Sequence, residues 1–281
     1  MKVVSIRVDF SEKQAYNTIM KRPCFTLIEL LIVIAIIALL AALSVPVLRG
    51  SRQRAGTLLC SSRIKQLTLG LTMYEDDNQT FPYGFFDTFT PPPGGYVGSP
   101  TYDRMGWWWF HFIEGYDDPD SAIFRCPSKW LSESKLKSCI LYGNYGVNRS
   151  ICKSPDDTRS DREEFVGAPL ASSDIPQPTR TLLVVDCGYS ITNWWYATDV
   201  PPVPLSAVKG EDAAYIPGIG INKNKKLPPG QNRDAIDGRH PNKTVNVGFA
   251  DAHSDRVKAD DLFVEKTADT YTNRSPLWSP Q

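Results

Sequence analysis

The chain has 281 residues, with 31 Lys and Arg balanced by 31 Asp and Glu, so its formal net charge is zero. That balance lacks the basic excess of a nucleic-acid binder, and no partner of that class is expected. With 22 Pro and 19 Gly, much of the chain is expected to be loop, around a core that a chain of this size can bury.

Residues 1–24 carry five Lys or Arg and two Asp or Glu and end in Met20-Lys21-Arg22-Pro23-Cys24. From Phe25 to Val47 the chain is apolar, Glu29 being its one ionisable side chain, and the next charge is Arg49. A helix of this length spans about 34 Å, enough for the ~30 Å hydrocarbon layer. It is too long for the apolar segment of a cleaved secretory signal. Lys21 and Arg22 before the span place the N-terminus in the cytoplasm and the bulk of the chain outside. A carboxylate inside a bilayer costs a few kcal/mol unless it finds a partner or reaches the interface.

Residues 48–78 continue as an amphipathic stem. Cys60, Ile64, Leu67, Leu71 and Tyr74 recur at helical spacing on one face, and Glu75-Asp76-Asp77-Asn78 marks the end. Residues 79–281 should form a β-rich domain. Residues 82–106 read as a Pro- and Gly-rich loop. Trp107-Trp108-Trp109 reads as strand, with alternate rings exposed. Thr181 to Asp186 reads as a buried strand, and residues 199–233 as an exposed excursion. Val245 to Val257 reads as a hairpin turning at Asp251-Ala252-His253, where Ala disfavours a positive φ.

A basic pair, a small residue, then Phe25-Thr26-Leu27-Ile28-Glu29 at the head of an apolar helix resembles the processing site of type IV pilins and type II secretion pseudopilins. Pro46, 21 residues after Phe25, matches their helix-kinking proline. The resemblance implies an α+β fold: a long N-terminal helix, half membrane-borne and half amphipathic, packed on an antiparallel sheet with long loops. It implies that residues 1–24 are a leader, of which 1–19 read either as an over-long start or as part of a longer leader. A prepilin peptidase would cut between Cys24 and Phe25, and the new Phe25 amine would be methylated. Glu29 would pair with the amine of a neighbouring subunit in a filament of the inner membrane and envelope. Where Cys24 stands, the family usually has Gly. Cys60 and the segment after it, Phe124 to Ser128 with its Cys126-Pro127, Tyr142 to Asn148, and His240 with Asp251 resemble one branch of pseudopilin-like envelope proteins. There the His lies nine residues before Asp-Gly; here ten residues separate His240 from Asp251, and Ala252 stands for Gly.

Cleavage would leave Cys60, Cys126, Cys139, Cys152 and Cys187 in an oxidising compartment. The pairings favoured are Cys60–Cys126, tying stem to domain, and Cys139–Cys152, closing a local loop. With no CxxC pair and three His, no metal site is expected. Calcium is considered at Asp76-Asp77-Asn78 and at Asp117, Asp118 and Asp120, neither with calcium-loop spacing. Cys187 with His240 or His253 is the strongest catalytic pairing, but no nucleophile motif surrounds it, so an enzyme is not expected. The alternative function is a membrane-anchored module that holds polysaccharide on exposed Trp107–Trp109 or Trp194-Trp195.

Overall fold

The computed structural model describes residues 26–88, 90–93, 95–97, 105–113, 122–155, 163–202, 214–227 and 230–279. The leader, Cys24, Phe25 and the acidic cluster at 117–120 lie outside the described residues. The chain divides into two compact units, residues 1–48 and 49–281.

The described part of the first unit is the head of helix α1, Leu27–Asn78. Its Leu, Ile and Val side chains are exposed in the single chain from Leu27 to Val45, as is Leu48. This helix is long and apolar enough to cross a membrane. Apolar side chains on every face, with no core against them, are what lipid or neighbouring subunits must cover.

In the second unit the stem half of α1 packs on a β domain. Cys60, Ile64, Leu67 and Leu71 are buried as their spacing required, while Leu58, Leu69 and Met73 point outward. The helix ends at Asn78, where Glu75 turns inward and accepts hydrogen bonds from Ser172 N and Oγ, each at 2.7 Å. Strands β1 (Phe85–Asp87) and β2 (Gly106–Trp108) form a small ladder, and helix α2 (Trp109–Ile113) follows at once. Helix α3 (Ser134–Ser138) precedes the central sheet. That sheet has β3 (Tyr145–Asn148), β4 (Leu182–Asp186), β5 (Ile191–Thr192), β6 (Thr244–Phe249) and β7 (Ser254–Lys258), ordered β5-β3-β4-β6-β7. Helix α4 (Asn232–Asp237) leads into β6, and β8 (Val264–Thr267) with β9 (Thr270–Asn273) closes the chain as a hairpin.

The fold is α+β, with a long N-terminal helix leading a β domain. The sheet is antiparallel except for the short edge pairing of β3 with β5, which is parallel. Every residue of β4 is buried, because the strand lies between two layers. Leu183 and Val184 join the stem side; Leu182 and Val185 join the opposite cluster with Val245, Val247, Trp195 and Trp278. A register shift between Leu182 and Val184 explains why these side chains do not simply alternate. The stem comes so close to β6 that a Cβ on Gly248 would lie 1.9 Å from Thr68 Oγ1.

Four expectations are corrected. Trp108 and Trp109 are both buried and Trp107 is half-buried, because the strand ends after Trp108 and Trp109 starts a helix. Trp194 and Trp195 are buried in a 3₁₀ turn, so neither Trp group is an exposed sugar platform. The region 199–233 is not wholly an exposed excursion: Tyr215, Ile216 and Ile219 are core residues, packed under α4. The β6–β7 turn does place Ala252 at φ 72°, which the Cβ was expected to resist.

Candidate functional site

The first candidate is the start of α1. Glu29 Oε2 accepts from Thr26 N at 2.9 Å and from Thr26 Oγ1 at 2.7 Å, and Glu29 N donates to Thr26 Oγ1 at 3.3 Å. This reciprocal cap follows from a Thr three residues before a Glu at a helix start. The carboxylate thus satisfies the first donors of its own helix. Position 46 lies inside α1, which continues across it to Asn78.

The second candidate is buried in the domain, between α1 and the sheet. Cys60 and Cys126 Sγ atoms approach to 2.9 Å. The Cys126 backbone N–H is held by Asn144 Oδ1 at 3.0 Å, and Asn144 Nδ2 in turn donates to Ile140 O at 2.8 Å. His240 completes the cluster: its ligand nitrogen and the two sulfurs all lie within 4.8 Å of one another. His240 Nε2 lies 3.1 Å from Asp186 Oδ2, and Asp186 Oδ2 accepts from Asn246 N at 2.7 Å and Nδ2 at 3.0 Å. Nδ1 faces α1, 3.3 Å from Thr57 Oγ1. The neighbouring Arg239 is clamped by Asp234 at 2.7 Å and donates to the Asn144 and Cys187 carbonyls. This sets the backbone from which His240 projects.

Burial disfavours the His240 imidazolium, but the Asp186 charge beside it wins and holds the ring up to about 9. Asp186 is lowered in return: burial alone would raise it, and the His240 charge overrides that. The Cys60 thiol is lowered by its hydrogen bond with Cys126, whereas burial and that same bond push the Cys126 thiol well up.

Among the described residues no disulfide is formed. The expected Cys60–Cys126 partners are adjacent as a thiol pair. No bridge joins Cys139 to Cys152, whose thiol is buried in the core and raised by that burial. Cys187 is fully buried, and its backbone carbonyl accepts from Arg239 Nη2 at 2.7 Å. His253 stacks on Phe249 at 4.1 Å and contacts Asp251 in the β6–β7 turn. His240 and Asp251 therefore serve different places: the first the buried cluster, the second a surface turn. Asp76 to Asn78 form the last turn of α1. In the sequence Asp186 reads only as the end of a buried strand, and Tyr145 only as part of the segment that resembles the pseudopilin-like branch.

A 57-residue stretch, 20% of the chain, is 46% identical to the type IV wide pilus major component PilA4 of Thermus thermophilus, covering 44% of that protein. A 62-residue stretch, 22% of the chain, is 42% identical to the type II secretion system core protein G of Escherichia coli, covering 43% of it. The chain is similar to pilus and secretion-system core subunits. It spans less than half the length of these relatives. A bovine pancreatic progenitor cell differentiation and proliferation factor-like protein is 27% identical over 35% of the chain and 62% of its own length. No family model matches, and no solved structure matches.

Proposed function

We propose that the protein is a structural subunit of an envelope filament, either pilus-like or of the type II secretion pseudopilus kind. One observation carries the reading: an exposed, membrane-length apolar helix bears a single carboxylate, Glu29, within a turn of its start. Similarity to pilus and secretion-system core subunits supports it. The helix anchors the subunit in the inner membrane as a single pass, its N-terminus cytoplasmic and the β domain outside. A prepilin peptidase cuts between Cys24 and Phe25, and the Phe25 amine is then methylated. Its other partners are further pilin or pseudopilin subunits.

Glu29 supplies the assembly chemistry. In the single chain its carboxylate caps its own helix through Thr26. When a neighbour's Phe25 amine arrives, the same oxygens accept a charge-assisted bond, and a charge costly in lipid becomes paired. The apolar flanks of α1 then bury against adjacent helices. Glu29→Val removes the partner charge while leaving the apolar span intact. The variant should reach the membrane fraction at wild-type level and be lost from sheared filaments by more than tenfold. Equal filament incorporation would overturn this role.

A further inference from the structure

Cys60, Cys126 and His240 come from three distant parts of the chain: stem helix α1, the loop before α3, and the approach to β6. All three are buried, and their ligand atoms converge within 4.8 Å. We propose that they bind one thiophilic d¹⁰ cation, Zn²⁺ or Cu⁺, as a structural centre that staples the stem to the β domain.

The donor set selects this class. Two thiolates and an imidazole are soft to borderline ligands, suited to zinc and cuprous copper and not to calcium or magnesium. The surroundings have the layout of a metal site beyond its ligands. Asp186 holds the His240 ring by Nε2 at 3.1 Å and is itself fixed by Asn246, which leaves Nδ1 facing α1, the element that carries Cys60. A carboxylate behind a metal-binding histidine fixes the ring and raises its basicity. Asn144 fixes Cys126 in the same manner through the backbone N–H. Two thiolates on one zinc stand about 3.7 Å apart, so the 2.9 Å between these sulfurs has to widen when a cation enters, and a Cys60–Cys126 bond is the competing fate that the test below separates.

A further donor is at hand. The buried Tyr145 hydroxyl lies beside the Cys60 thiol and bears on it. Three ligands satisfy cuprous copper, and zinc would complete a fourth position from water or a neighbouring oxygen. Binding is a simple exchange: the cation replaces the two thiol protons and any proton on the imidazole, all of which leave to solvent, and no electron is transferred. Because the ligands are buried, the centre holds structure and has no open face for a substrate. It closes loops of 66 and 114 residues between successive ligands, so the metal constrains the domain as a cross-link would.

The test uses the full chain, purified in detergent without oxygen and with reductant, then loaded separately with Zn²⁺, Cu⁺ or the spectroscopic substitute Co²⁺. Native mass spectrometry should find one metal per chain, and the Zn²⁺ and Cu⁺ arms tell which cation is held more tightly. Cobalt should give thiolate-to-metal charge-transfer absorption. Cys60→Ser, Cys126→Ser and His240→Gln should each lose that absorption, and Cys139→Ser should keep it. Asp186→Asn should keep the absorption with affinity weakened about 10–100-fold. If a ligand variant does not fold, the wild-type stoichiometry still decides. Failure to retain any of the three metals would overturn the proposal. So would protein drawn from the envelope with Cys60 and Cys126 joined, lighter by two hydrogens and inert to metal until reduced.

Discussion

His111 and His240 are both buried, yet their surroundings drive them to opposite protonation states. His111 Nδ1 accepts the Trp108 N–H at 2.9 Å, and among the described residues no anion faces the ring, so burial pushes it down to about 4. His240 faces Asp186 and rises. For His111 the unfolded chain binds more protons than the folded one between about pH 6.5 and pH 4. Stability therefore falls as pH drops through that window, by up to roughly 3 kcal/mol. In the metal-free chain His240 is charged when folded, and the unfolded ring gains its proton as pH falls through about 6.5, so its contribution has the opposite sign and is common to the two proteins compared next. A His111→Gln variant keeps an acceptor for Trp108 and cannot titrate. Its denaturant midpoint should change less between pH 7 and pH 4.5 than that of the wild type. Identical changes would show that His111 is not held neutral.

At the scale of elements, the packing of α1 on β6 decides whether stem and sheet form one core. Gly248 is the point of closest approach, where an added Cβ would lie 1.9 Å from Thr68 Oγ1 and 2.8 Å from Val184 Cγ1. Gly248→Ala should cost about 1–3 kcal/mol, the usual penalty for overpacking. Thr68→Ala in the same chain should recover part of it, read as the shift in thermal midpoint. An unchanged midpoint for Gly248→Ala would contradict this docking. The stem was legible in the sequence because Cys60, Ile64, Leu67 and Leu71 repeat with a period that only a helix puts on one side. The strand at 182–186 was legible because a short unbroken apolar run suits a strand buried on both sides. The Trp107–Trp109 segment was not, since three adjacent Trp residues have no period and the strand gives way to a helix between the second and third. Ala252 shows a hairpin turn overriding a local preference.

For the whole molecule, the split between readable and hidden features follows sequence separation. The assembly end is contiguous: Phe25, Thr26 and Glu29 lie within five residues of sequence, so their pattern is visible in the chain itself. The buried cluster has no such pattern. Cys60, Cys126 and His240 are brought together by the stem docking on the sheet, and the absence of a CxxC pair said nothing about ligands drawn from three separate elements. The two sites divide the work of the proposed subunit. Glu29 and the apolar half of α1 join subunits, and the cluster holds each domain on its stem.

The central claim concerns the N-terminus, and mass spectrometry of the protein from cells with and without the prepilin peptidase tests it most directly. With the enzyme, the chain should begin at Phe25 and carry one methyl group; without it, the leader should remain. A chain that keeps its leader in the presence of the enzyme, or one cut after Ala41 or Ala42 as a signal peptide would be, would contradict the account.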